Sequence, residues 1–213
     1  MAKRIAIHGL AAALAVFASA GLAQERGWYA GGSLGQSRVK FDRGAFEGPF
    51  AAAGLGTTGF TFNETDSGWK LFAGYKFNRN FALEGSYREL GEFTASTRVI
   101  SGSPLAPVNV NFTFKAKQGF DLAAVGILSV GRFSVFGKLG GYSIKTEGSG
   151  VGVNTATGSD RGTGFLYGLG AQYELSKNLD VRAEWQMFNK VGDKVKTFEG
   201  DIGLLSVGLA YKF

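Results

Sequence analysis

From Leu205 to Phe213 every second side chain is large and apolar. Leu205, Val207, Leu209, Tyr211 and Phe213 alternate with Ser206, Gly208, Ala210 and Lys212. A period of two places successive side chains on opposite faces of a β-strand. The same alternation runs through Trp69–Phe77, where Lys70, Gly74 and Lys76 fall on the second face, and through Phe81–Arg88, with Glu84, Ser86 and Arg88 opposite the apolar set. It returns over 165–175 and over 179–187, the latter with Asp180, Arg182, Glu184 and Gln186 on the polar side. A helical period fits none of these segments. Residues 120–130 are apolar on both phases, so no face is assigned there, and a β-bulge is expected to interrupt that strand.

The connections alternate in length. Asn78-Arg79-Asn80, the region of Gly131, and Ser176-Lys177-Asn178 read as tight turns. Between them, 42–67, 91–111, 146–161 and 189–201 read as long polar or glycine-rich loops, and a strand of about 28–41 precedes the first. Seven connections give eight antiparallel strands. Both termini then lie on the side of the short turns, the layout of a transmembrane up-and-down β-barrel. About ten residues per strand, at about 3.3 Å each and tilted by about 45°, span an apolar band of roughly 23–25 Å.

The first residues bear on the compartment. Lys3 and Arg4 precede an apolar, alanine-rich run from Ile5 to Phe17, followed by small residues. The run is too short for a membrane helix of about 20 residues and reads as a secretory signal over 1–23. Cleavage is expected after Ala23, with Ala20 as the alternative. The barrel then occupies 24–213 and is expected to be the whole mature protein. Removing the leader lowers the net charge from +6 to +4 and takes away His8, the single histidine, and the chain has no cysteine. No disulfide staples the fold. Nucleic-acid binding finds no basic block to support it. No metal-ligand spacing occurs and no cofactor is expected.

Two arrangements compete: a soluble barrel with its apolar face inward, as in lipocalins, and a membrane barrel with that face outward. The polar face carries Gly74, Gly140, Gly168, Gly170 and Gly208, which suit a crowded interior and weaken a solvent-facing strand. Aromatics gather at strand ends: Phe77, Phe81, Phe133, Tyr173, Tyr211 and Phe213 near the short turns, and Trp69, Tyr87 and Trp185 nearer the other side. Two aromatic girdles are a membrane feature. With the polar face inside, its charges must pair. Glu84, Lys138, Arg182 and Glu184 lie at similar distances from the short-turn ends and are expected to form an interior ion network that closes the barrel.

The segments GWYAGGSLG (27–35), GYKFNRNFALEGSYRELG (74–91), KLGGY (138–142), RAEWQMFNKVGD (182–193) and LLSVGLAYKF (204–213) resemble the OmpA-like outer-membrane barrel family over nearly the whole mature chain. The resemblance implies an integral protein of the bacterial outer membrane that supports the envelope, with some members forming weak pores or taking part in adhesion. It matches Glu84 and Arg182 to interior ion-network positions. It also makes Leu205, Val207, Leu209, Tyr211 and Phe213 an assembly signature read by the barrel-assembly machinery. Expected partners are outer-membrane lipid and lipopolysaccharide, with host or phage contacts through the external loops. Unlike longer members, the chain is read as ending at its last strand, without a peptidoglycan-binding domain.

Three functions follow from different classes: a closed structural barrel, a small porin for ions or small solutes, and a lipid- or peptide-cleaving enzyme. Without a histidine in the mature chain, histidine-dependent catalysis is excluded. A Glu174–Glu184 pair is the remaining acid–base candidate, and its plainer role is to partner Arg182 and Lys138. Gly54-Leu-Gly56-Thr-Thr-Gly59 fits a phosphate-loop spacing but has no helix signal after it and reads as a flexible loop. The Asn63 and Asn111 acceptor patterns are expected to stay unmodified.

Overall fold

The computed structural model describes residues 26–40, 43–151, 156–192 and 200–213. The leader read at 1–23 lies outside the described residues. In chain order the elements are β1 (Gly27–Lys40), α1 (Arg43–Ala52), β2 (Gly56–Asn63), β3 (Thr65–Asn78), β4 (Phe81–Glu89) and β5 (Gly91–Ser101). They continue with β6 (Val108–Val130), β7 (Phe133–Val151), β8 (Ala156–Ser176), β9 (Leu179–Val191) and β10 (Gly200–Lys212). Eight of the strands close an antiparallel ring in the order β1-β3-β4-β6-β7-β8-β9-β10, and β10 returns to β1. The ring is therefore the eight-stranded barrel that the alternation predicts. β2 and β5 are not extra staves. They continue β3 and β4 upward, separated from them by one-residue breaks at Glu64 and Leu90.

Closure fixes the stagger. Ile144 on β7 is level with Gly119, Arg88, Lys70, Ser33, Gly208, Arg182 and Gln172 in turn, and Gln172 leads back to β7 at Ser134. The ring thus returns to its starting strand ten residues lower. Ten steps of about 3.3 Å over eight spacings of about 4.8 Å tilt the strands by about 40°.

The apolar face is outside. On β10, Leu205 and Val207 are 61% and 59% exposed, whereas Ser206 between them is 3% exposed. Six outward residues, Phe165, Tyr167, Leu169, Ala171, Tyr173 and Leu175, run down β8 to the short-turn side. The three short turns fall where the turn residues predict. Asn80 N–H donates to Asn78 Oδ1 (2.9 Å) and Asn80 Nδ2 to the Ile127 carbonyl (2.9 Å), so the first turn is tied to the neighbouring strand.

The long loops require correction. Much of 91–111 is strand, and β6, β7 and β8 run well past the apolar band, so β2, β5, β6, β7 and β8 form an external sheet. Its sequence was hard to read as strand because the phase inverts. On β4 the inward residues are Ala82, Glu84, Ser86 and Arg88; on β5 they are Phe93, Ala95, Thr97 and Val99. Gly91, at φ 94°, sits at the slip. On β6 the register shifts between Ala116 and Gly119, again exchanging the inward set, from Val110, Phe114 and Ala116 to Ala123, Val125 and Ile127. The physical reason is the change of solvent: beside hydrocarbon the apolar face turns outward, and above it, in water, the apolar face turns in. Residues 120–130 alternate regularly, with Phe120, Leu122 and Leu128 outward. The expected bulge lies just before them. The first loop region also holds α1, whose Phe50 packs edge-on against Phe60 (5.4 Å) and Phe112 (6.2 Å) of the external sheet.

Candidate functional site

The barrel axis is occupied by a layer of acidic, basic and polar side chains. β4 contributes Glu84, Ser86 and Arg88, and β9 contributes Arg182, Glu184 and Gln186; both sets alternate inward because their strands do. β3 adds Lys70, β6 Asp121, β7 Lys138 and β1 Tyr29. Glu84 accepts from Arg182 Nη1 (2.8 Å), from Tyr29 Oη (2.9 Å) and from Lys138 Nζ. Glu184 faces Lys70 Nζ (2.6 Å), Lys138 Nζ (2.8 Å) and Arg182 Nε (3.4 Å). Lys138 thus bridges the two carboxylates.

A second group adjoins the first. Arg88 pairs with Asp121 and donates to Ser86 Oγ (2.7 Å) and, through Nη1, to Gln186 Oε1 (2.7 Å). Gln186 Oε1 also accepts from Lys70 Nζ (3.3 Å), which joins the two groups. The side chains of these seven ions are at most 5% exposed. Charges withdrawn from water persist only when paired and hydrogen-bonded, and here each carboxylate meets at least one cation.

Apolar layers lie above and below the ions. Toward the external side, Leu90, Ile144, Leu166, Phe188, Ile202 and Leu204 form one buried cluster. Toward the short turns, Phe72, Ala82, Val125, Ile127, Phe136 and Ala210 belong to another. Rings cover the guanidinium groups: Arg182 lies 4.0 Å from the Phe136 centroid and 4.9 Å from that of Phe72, and Arg88 4.5 Å from that of Phe188. These are favourable cation–π distances. The cavity left between Arg182 and the short-turn mouth is about 10 Å³, room for about one water.

The four residues of the expected network, Glu84, Lys138, Arg182 and Glu184, are brought together. Lys70, Arg88, Asp121, Gln186 and Tyr29 were missed. All but Tyr29 and Asp121 stand on polar faces visible in the alternation, so the signal was present. Counting positions from the turn ends without the tilt hid their meeting. Glu174 and Glu184 do not form a pair: Glu174 binds Lys212 (2.9 Å), while Glu184 stays in the central layer. Gly54–Gly59 spans a turn and the start of β2, with α1 before it and no helix after it. Among the described residues no group of three or more His, Cys, Asp or Glu side chains is placed to hold a metal ion.

The outward aromatics contact one another in two tiers. Trp69 meets Tyr87 (5.5 Å), Tyr87 meets Phe120 (4.8 Å), and Trp185 meets Tyr167 (5.9 Å). Nearer the short turns, Trp28–Tyr75 (5.1 Å), Tyr75–Phe77 (5.3 Å), Phe77–Phe81 (5.9 Å) and Tyr211–Phe213 (5.1 Å) are in contact. Tyr173 is outward at the same end.

Comparison with known proteins agrees with this geometry. The family model of the OmpA-like transmembrane domain matches residues 23–213. Outer membrane protein A of Yersinia pseudotuberculosis is 33% identical over 99% of this chain and 56% of its own length, and that of Klebsiella aerogenes 29% over 99% and 55%. The chain spans about half the length of these relatives. Among solved structures, Neisserial surface protein A superposes with a TM-score of 0.52 at 14% identity, covering 89% of this chain and 100% of that one. The protein is a transmembrane β-barrel of the bacterial outer membrane and belongs to the OmpA-like transmembrane domain family.

Proposed function

We propose that the protein is a closed, non-enzymatic structural barrel that supports the outer membrane and offers its external sheet and loops for surface contacts with lipopolysaccharide, host cells or phage. The observation that carries this reading is the ion layer held between two apolar layers. A conducting lumen needs a continuous polar path, and here each carboxylate is paired with at least one cation, with about one water's space beneath. The single histidine, His8, falls in the segment read as a leader, which supports a role without histidine-dependent catalysis. We also propose that the outward stripe of β10, ending at Phe213, is the segment read by the assembly machinery. The test is planar-bilayer recording of the purified barrel. Silence in the wild type and in Glu84→Ala is expected. Reproducible wild-type channels that widen in Glu84→Ala or Arg182→Ala overturn the reading in favour of a small porin.

A further inference from the structure

The short-turn rim is strongly one-signed. Arg26, Lys76, Arg79, Arg132, Lys177 and Lys212 stand there against the carboxylate side chains of Glu174 and Asp180. Both acids are ion-paired with Lys212, whose Nζ lies 2.9 Å from Glu174 Oε2 and 3.0 Å from Asp180 Oδ1, and Glu174 also stands in the field of Arg132 and Lys76. Each of the three short turns carries a cation of its own, Arg79, Arg132 or Lys177. None of these forms an ion pair among the described residues.

Arg132 is held in a particular way. Its Nη2 donates to the Leu175 carbonyl (2.9 Å), and its guanidinium lies 5.5 Å from the centroid of Tyr173. The backbone beneath is fixed by Glu174 N–H donating to the Arg132 carbonyl (2.9 Å). Tyr173 is an outward ring, 45% exposed, at the edge of the apolar band. A cation laid on that ring stands at the level of lipid headgroups, outside the lumen. Of five guanidinium N–H donors, one is used by Leu175. Those that remain suit two-point binding of a phosphate.

We propose that the periplasmic rim is a seat for anionic phospholipid headgroups of the inner leaflet, with Arg132 and Tyr173 at its centre and Arg79 and Lys177 extending it around the ring. The inference rests on the outer-membrane placement of the barrel, in which short turns face the periplasm. Phosphatidylglycerol fits the chemistry: its phosphodiester meets the guanidinium while its acyl chains lie along the outward Phe133 and Val135 of β7 and Tyr173 and Leu175 of β8. The position of Arg132 on an outward ring favours lipid over a soluble acidic partner, which would approach along the barrel axis.

Native mass spectrometry of the purified barrel, with phosphatidylglycerol and phosphatidylcholine of identical acyl chains in competition, tests this. The expected result is preferential retention of phosphatidylglycerol, falling about fivefold per cation removed in R79Q, R132Q and K177Q. Retention is expected to fall less in R132K, which keeps the charge and loses the planar fork, than in R132Q, and to be unchanged in K117Q/K145Q at the external end. Heat-modifiable gel migration verifies that each variant is folded. If R132Q does not fold, the salt dependence of retention in the wild type replaces it, with loss at high ionic strength expected. No headgroup preference in the wild type, preference that survives the triple variant or high salt, or loss through the external variant overturns the proposal. So does binding of peptidoglycan fragments by the same cations without any lipid preference. Conductance does not depend on the rim, so such a failure leaves the closed-barrel reading untouched.

Discussion

Lys70 Nζ lies 2.6 Å from Glu184 Oε2, and the two residues come from strands separated by β1 and β10 around the ring. The contact therefore crosses the interior instead of following the wall. Glu184 is the most heavily used carboxylate of the layer, with three cations around it. Four cations, Lys70, Arg88, Lys138 and Arg182, share three acids, so the layer is one positive charge in excess and the loss of any acid enlarges that excess.

Glu184→Ala is accordingly expected to lower stability by about 3–5 kcal/mol, the usual cost of breaking a buried ion pair by removing one partner. Urea unfolding of the barrel in lipid vesicles, followed by tryptophan fluorescence, measures it. A loss below about 1 kcal/mol would mean that water reaches the layer.

Tyr29→Phe removes a single hydroxyl that donates to Glu84 at 2.9 Å and leaves the ring in place. The expected loss is about 1.5–3 kcal/mol, typical of a hydrogen bond to a charged group. The same unfolding assay reads it. A loss below about 0.5 kcal/mol would mean that Glu84 is satisfied without the hydroxyl.

Glycines on the two faces should respond differently. A Cβ on Gly208 would meet the Gly32 carbonyl at 2.1 Å and Ser33 Cβ at 2.5 Å, whereas one on Gly126 meets nothing within 4 Å. Gly208→Ala is expected to reduce the folded fraction on heat-modifiable gels, and Gly126→Ala to leave it within about 0.5 kcal/mol of wild type. Equal behaviour of the two would mean that β1 and β10 can separate at no cost.

The terminal stripe separates assembly from stability. Phe213 is 76% exposed, and its ring meets that of Tyr211 at 5.1 Å. Phe213→Ala is expected to refold in detergent like wild type but to reach the outer membrane of cells in smaller amounts. A matched loss in both assays would reduce its role to packing.

The lipid-facing part of the barrel was legible in the sequence because one repeating rule governs it. On β3, β4, β8, β9 and β10, apolar side chains at every second position must face hydrocarbon, so an inward polar face follows from the period, and eight strands follow once the turn residues mark the three short connections. Glu84, Lys138, Arg182 and Glu184 could be read as a group for the same reason. The rule stops at the membrane surface. Above it the apolar set of β5 and β6 turns inward through the slips at Gly91 and before Gly119, and the external sheet looked like loop. Which ions meet was decided only by closure of the ring. A stagger of ten residues tilts every strand, and that tilt carries Lys70 to Glu184 and Arg88 to Gln186 and Asp121, partners at distances along the chain that no local pattern relates.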